Sequence, residues 1–412
     1  MLRASAERVE RLLTGIGNFG KNAPGKGITR LAYTPEDCAA IKWLLEQVQD
    51  LHLEVKEDAV GNVFLRREGT DPTLPPVAMG SHLDTVIQGG LYDGVLGVVG
   101  ALETLYMLGE EKWPRGVEVI IFRAEESSRF GYGTMGSKLL AGEITVDKLP
   151  VTARPGEVNF AQALKNCGYG DKDYITAVKK PGCYKCFLEL HIEQGKVLCS
   201  SGEVIGIVNN IAAPTRFKII IKGVADHSGA TPMTMRKDAL VAAAKLILAI
   251  QAAAYKETGH GTVGTVGIVD VEPGSPNVVP GKATLWVDVR GVEEESIKRT
   301  LENIKEEIVK VAGSDQVEIT QELLTAESPV ALSSELAKAF EELCKAKKLK
   351  YRHMHSGAGH DAMHMAKLVP TSMLFIPCKD GISHNPEEKA ELEDICLGIE
   401  VLAAMVERQL KS

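Results

Sequence analysis

Apolar positions recur along this chain in two periods, and the switches between them divide it into elements. The first 50 residues read as helices. Thr34 supplies a capping hydroxyl, Pro35 suits a first helical turn, and Ile41, Leu44, Leu45 and Val48 follow at helical spacing. Residues 53–58 and 62–68 read as a hairpin turning at Gly61. Short apolar runs at 76–80, 117–122 and 187–192 read as buried strands, and 95–108 and 136–141 as helices between them. Such alternation predicts an α/β layer with a largely parallel sheet.

The character changes near residue 212. Residues 216–223, 262–271 and 283–290 read as strands, and 238–255 and 293–311 as helices, which makes a compact α+β unit. After about residue 328 come a helix (333–347), a glycine-rich loop, a strand (371–376) and a last helix (392–410). The simplest organisation is one domain, a three-layer α/β unit with a mixed sheet, built from 1–212 and 328–412. A second domain, 213–327, is inserted in it, and 212–215 and 326–330 are the expected hinges.

Length agrees with two domains: 412 residues exceed one ordinary core. The formal net charge of −8 argues against a general nucleic-acid binder. The longest apolar run, 239–254, is broken by Lys245 and Gln251, so no membrane helix is expected. The first residues are charged and lack a signal-peptide core, which makes the cytoplasm the default location. Eight cysteines are expected to be mostly free thiols there, and the Cys183–Cys186 pair has no second pair to complete a zinc site.

The candidate chemistry lies where apolar strands end, the usual place for function in α/β folds. His82 and Asp84 follow the first buried run. They read either as a satisfied loop histidine or as a metal ligand with its orienting carboxylate. Asp93 is a helix cap or a carboxylate bridging two cations. Glu125 and Glu126 follow the second buried run; adjacent acids repel, and a metal relieves that repulsion while the neighbouring acid serves as base. His191 and His384 each lie at or past the end of another strand. Together His82, Asp93, Glu126, His191 and His384 form a nitrogen and carboxylate set suited to Zn²⁺, Mn²⁺, Co²⁺ or Ni²⁺. Arg290 is a carboxylate fork or a surface ion pair, and Asn277 a substrate contact or a turn residue between prolines. His360 and His364 are four apart; a separate metal site is conceivable, but His360 reads better as a wall of the active site. Backbone N–H groups at 357–359 suit a carboxylate.

The order H-x-D, D-G, E-E, HIEQG and S-H-N resembles the M20-type metallopeptidase and amidohydrolase superfamily. EESSRFG (125–131), HIEQG (191–195), DHSGATPM (226–233), NVVPG (277–281) and SGAGHDA (356–362) are most similar to its hydantoinase/carbamoylase branch. Peptidase relatives typically carry Asp where His191 stands. Ser127 departs from the branch, whose members often have Gly there. The resemblance implies a di-metal site in which His82 and His191 each bind one of two divalent ions, Glu126 and His384 complete the sites, and Asp93 bridges. It implies Glu125 as general base towards a metal-bound water, Asp84 orienting His82, and His227 at the oxyanion. Gln194, Asn277, Arg290 and Gly359 would hold a small ureido or other carboxylate substrate. It further implies a ferredoxin-like insert acting as lid and homodimer interface, and hydrolysis of an N-carbamoyl-L-amino acid, with allantoate, then a dipeptide or acylamino acid, as alternatives.

Overall fold

A computed structural model of the chain describes residues 3–144, 158–169 and 173–412, which fall into two compact units. The first comprises Met1–Asn209, Ala331–Ser356 and His360–Ser412; the second comprises Asn210–Val330 with Gly357–Gly359.

Among the described residues the first unit is built on a nine-stranded mixed sheet. Its order is Glu54–Glu57, Val63–Arg67, Val117–Phe122, Val77–His82, Cys186–Ile192, Thr371–Ile376, Ile205–Ile211 and Val330–Ala331, with Tyr351–Ser356 also paired to Ile205–Ile211. The four central strands, from Val117–Phe122 to Thr371–Ile376, run parallel to one another. Every residue of these four is buried, which is why they read as largely apolar runs without strict alternation. The helices Ala6–Ile16, Val95–Leu108 and Leu392–Lys411 share one core cluster with the sheet. Thr34 caps Pro35–Gln47 by accepting the Asp37 N–H, as its sequence predicts.

The second unit holds a four-stranded antiparallel sheet in the order Glu318–Ala326, Ala213–Lys222, Lys282–Gly291, Val263–Glu272. Along the chain, helix Ala239–Lys256 follows the first of its strands and helix Glu294–Asp315 the third, and both contribute to its core. Strand Ala213–Lys222 alternates buried and half-exposed residues, so one sheet face packs on the helices.

Three longer strands escaped the sequence reading, Ile205–Ile211, Glu318–Ala326 and Tyr351–Ser356, as did the two-residue strands Asp226–His227, Val278–Val279 and Val330–Ala331. Composition alone does not separate one helix from a membrane span. Helix Ala239–Lys256 is 18 residues long with a mean hydropathy of 1.5, enough by length and composition to cross a bilayer. Its Ala239, Ala242, Ala243, Leu246, Ile250 and Ala253 instead line the core of the second unit.

Candidate metal centre

The parallel strands deliver the ligands. His82 ends the strand Val77–His82, Glu125 and Glu126 follow Val117–Phe122, and His191 lies one residue from the end of Cys186–Ile192. Asp93 precedes helix Val95–Leu108, whose cap position is Gly94, not Asp93. Gly94 adopts φ +68°, and a Cβ there would stand 2.3 Å from the His82 ring, so only glycine lets the helix start against that imidazole.

Asp93 is the centre of the arrangement. Its Oδ1 lies 3.1 Å from His191 Nε2 and 3.7 Å from His82 Nε2. Its Oδ2 lies 3.1 Å from His384 Nε2, which is itself 3.3 Å from Glu126 Oε1. One carboxylate therefore faces two separate donor groups, His82–His191 and His384–Glu126, each compact enough to hold a cation together with Asp93; His82 and His191 thus share one position, instead of serving one ion each as the resemblance implied. Donors bound at about 2.0–2.2 Å in a tetrahedron stand roughly 3.3–3.6 Å apart, so the spacing suits a first-row divalent ion. Tautomers agree. His82 Nδ1 donates to the Asp84 carbonyl (3.0 Å) and His191 Nδ1 to the Ile192 carbonyl (2.9 Å), which turns each Nε2 lone pair towards the site, where that of His191 accepts the Gly94 N–H at 3.2 Å.

Asp84 holds His82 through its main-chain carbonyl and not through its carboxylate. Its carboxylate stays 3.8 Å from the ring, while its oxygens accept the backbone N–H groups of Glu125 (3.3 Å) and Glu126 (3.0 Å). Asp84 thus positions the two acids, and its main chain positions the histidine. Beneath them Arg123 forms a buried pair with Asp37 at 2.7 Å.

The cluster crowds buried acids against histidines. Burial, with Glu126, Asp361, Asp84 and Asp93 close by, pushes the Glu125 carboxyl well above the usual carboxylate range. Burial likewise raises Glu126. Burial lowers His82 to about 4. His384, hydrogen-bonded to Asp93 and Glu126, is raised to about 11. Cations bound between these groups would relieve the crowding of carboxylates that burial penalises.

The other predicted residues are placed as follows. Gln194, at φ +58°, donates Nε2–H to Asp93 Oδ2 (2.7 Å), and its buried Oε1 has no partner among the described residues. In the second unit, exposed His227 accepts the Gly229 and Ala230 N–H groups at Nδ1 (3.0 and 3.1 Å), so Nε2 bears the proton. His227 pairs with Val278 across a two-stranded ribbon, which brings Asn277 beside it. Arg290 does not present a free fork: Nε and Nη2 already grip Asp288 at 2.8 and 3.0 Å. Gly359 is half-buried and clusters with the second unit. His360 and His364 have different partners: His360 meets Ser356 (2.8 Å), and His364 meets Glu143 and Thr134 (each 2.8 Å). Among the described residues no group of potential ligands includes Cys183 or Cys186.

Sequence reasoning missed Glu189 and Glu388. Buried Glu189 accepts from Ser81 Oγ (2.9 Å) and the Ala362 N–H (3.1 Å). Glu388 receives the Tyr92 and Asp93 N–H groups. The available signal was proximity: Glu189 shares a strand face with His191, and Glu388 lies four residues after His384.

The profile of peptidase family M20/M25/M40 matches residues 78–408. The chain is 38% identical to ureidoglycolate hydrolase of Arabidopsis thaliana, covering 98% of this chain and 86% of that protein. It is 37% identical to N-carbamoyl-L-amino-acid amidohydrolase of Paenarthrobacter aurescens (97% of each) and 35% identical to allantoate amidohydrolase of Escherichia coli (98% of each). The crystal structure of a hydantoinase/carbamoylase family amidase from Burkholderia multivorans superposes with a TM-score of 0.90 at 31% identity, covering 100% of this chain and 99% of that one.

Proposed function

The chain belongs to the M20/M25/M40 peptidase family as an amidohydrolase acting on C–N bonds of non-peptide substrates, and on that premise we propose that it hydrolyses the ureido C–N bond of an N-carbamoyl-L-amino acid. The observation that carries the reading is Asp93, whose two oxygens face two separate donor groups. His82 and His191 would hold one divalent ion, Glu126 and His384 the other, and Asp93 both. When bound, such a pair supplies Lewis acidity that polarises a carbonyl and acidifies water, which matters because a ureido carbonyl is a poor electrophile.

The protein's own residues do the rest. Glu125, beside this pair, takes a proton from the attacking water and returns it to the departing nitrogen. Asp84 holds Glu125 and Glu126 by their N–H groups. His227, with its proton on Nε2, offers a hydrogen bond to the oxygen on which charge develops. Asn277, Arg290, Gln194 and the backbone at Gly359 take the substrate carboxylate and ureido group; for Arg290 this means sharing or exchanging Asp288. Addition of water yields the amino acid, ammonia and carbon dioxide. We read the unit 210–330 as a ferredoxin-like lid and homodimer interface, and the cytoplasm as its location.

Allantoate is the second reading, favoured by the relative that acts on it. Ammonia release, with free amine followed for the dipeptide, separates them: metal-reconstituted protein is offered N-carbamoyl-L-amino acids, allantoate, ureidoglycolate and a dipeptide. Turnover of a carbamoyl amino acid, reduced roughly 10²–10⁴-fold in Glu125→Gln with metal content unchanged, is the expected result. Turnover of allantoate alone transfers the site to the second reading, and turnover of the dipeptide alone overturns both.

A further inference from the structure

Glu388 is buried, lies outside both donor groups, and has no part in the chemistry above. Its Oε1 accepts the N–H groups of Tyr92 (2.8 Å) and Asp93 (3.1 Å). Its Oε2 meets Ser383 Oγ at 2.8 Å, and that hydroxyl also stands 3.1 Å from Asp93 Oδ2. One carboxylate thus grips the main chain of the bridging residue and, through Ser383, the oxygen that faces His384. We propose that Glu388 is the positioning residue of the second cation position, Asp93–Glu126–His384, an inference that rests on the two-cation reading of the site.

Three observations converge on that position rather than the first. His82 and His191 are oriented by the carbonyls of Asp84 and Ile192, with no help from Glu388. His384, by contrast, sits half-exposed at φ +55°, a left-handed conformation that a non-glycine residue keeps only where the surrounding structure over-determines it. The imposing surroundings are the loop that Glu388 closes. Lys379 N–H donates to the Lys389 carbonyl (2.7 Å), Glu388 N–H to the Asn385 carbonyl (3.1 Å), and Ser383 is tied to Glu388. The chain also makes room for this carboxylate: a Cβ on Gly90 would fall 2.2 Å from Glu388 Oε1. Partners that orient ligands in this way typically account for about 10–100-fold in metal affinity.

The test is titration of metal-free protein with Co²⁺, followed by calorimetry and visible absorption. Wild type should take two equivalents. Glu388→Ala should keep the first and bind the second about 10–100-fold more weakly. Glu388→Gln, which still accepts both N–H groups and can donate to Ser383, should restore most of it. Ser383→Ala, a milder cut of the same link, should weaken the same equivalent and covers the case in which Glu388→Ala does not fold. In a His384→Ala background the effect of Glu388→Ala should vanish, which a general loss of stability would not produce. Two wild-type affinities in Glu388→Ala or Ser383→Ala, with only a lower melting temperature, would overturn the proposal. Fewer than two equivalents in wild type would overturn the two-cation reading, and this inference with it.

Discussion

Glu143 shows how a residue far from any motif carries a measurable load. Burial opposes its ionisation, but the hydrogen bond from His364, together with Lys367, lowers its carboxyl to about 2. A depressed acid stabilises the fold above its unfolded pKa, roughly 4.3, and that contribution fades as pH falls towards the folded value. Glu143→Gln should therefore lower the urea midpoint at pH 6–7, with the difference shrinking below about pH 4.5. A difference independent of pH would assign the residue a packing role instead. The metal centre was far more legible than this pair, because chemically conspicuous residues stand where apolar strands stop. What the sequence hid at this scale was whatever needs three dimensions. Asp84 serves two acids 41 and 42 residues away, and Glu388 serves an aspartate 295 residues away. No periodicity encodes such pairings.

At the scale of elements, legibility followed burial. Strands 117–122 and 371–376 and helix 95–108 were predicted to the residue, since continuous burial leaves a largely apolar run. Glu318–Ala326 was missed because nearly all of it is exposed on a sheet edge, so its side chains carry little apolar pattern. Tyr351–Ser356 is equally polar. Ile205–Ile211 was missed for another reason: only Ala212 separates it from the next strand, and no turn residue announces the break. Helix Ala239–Lys256 is the informative case, because its two faces make opposite demands. Leu246 is fully buried, whereas Leu248 is 65% and Tyr255 76% exposed, an apolar strip suited to the proposed homodimer contact. Leu246→Ala should cost about 2–5 kcal/mol in urea unfolding. Leu248→Lys should leave the unfolding of the unit nearly unchanged and shift the mass measured by light scattering from dimer to monomer. A dimer that survives Leu248→Lys and Tyr255→Lys together would remove this helix from the interface.

On the scale of the whole chain, the proposed ligands are unevenly distributed. His82, Asp93, Glu126, His191 and His384 all belong to the first unit, while the second has its own sheet, helices and core. A ligand that binds only the folded state stabilises it by RT ln(1 + [L]/Kd), about 2.7 kcal/mol when the free ion stands at 100 times Kd. That energy reaches only those amides whose opening destroys the site. Hydrogen exchange on the full chain, with and without Co²⁺, should therefore slow in the strands Val77–His82, Val117–Phe122, Cys186–Ile192 and Thr371–Ile376. It should leave Ala213–Lys222 and Lys282–Gly291 at their metal-free rates. Protection spreading equally into the second unit would mean that the two units open together as one cooperative body. Protection in neither would mean that the ion binds without the ligands assigned to it. The same experiment on His384→Ala discriminates further. The strands that carry His82 and His191 should still gain protection from the first ion, and the increment due to the second should be missing.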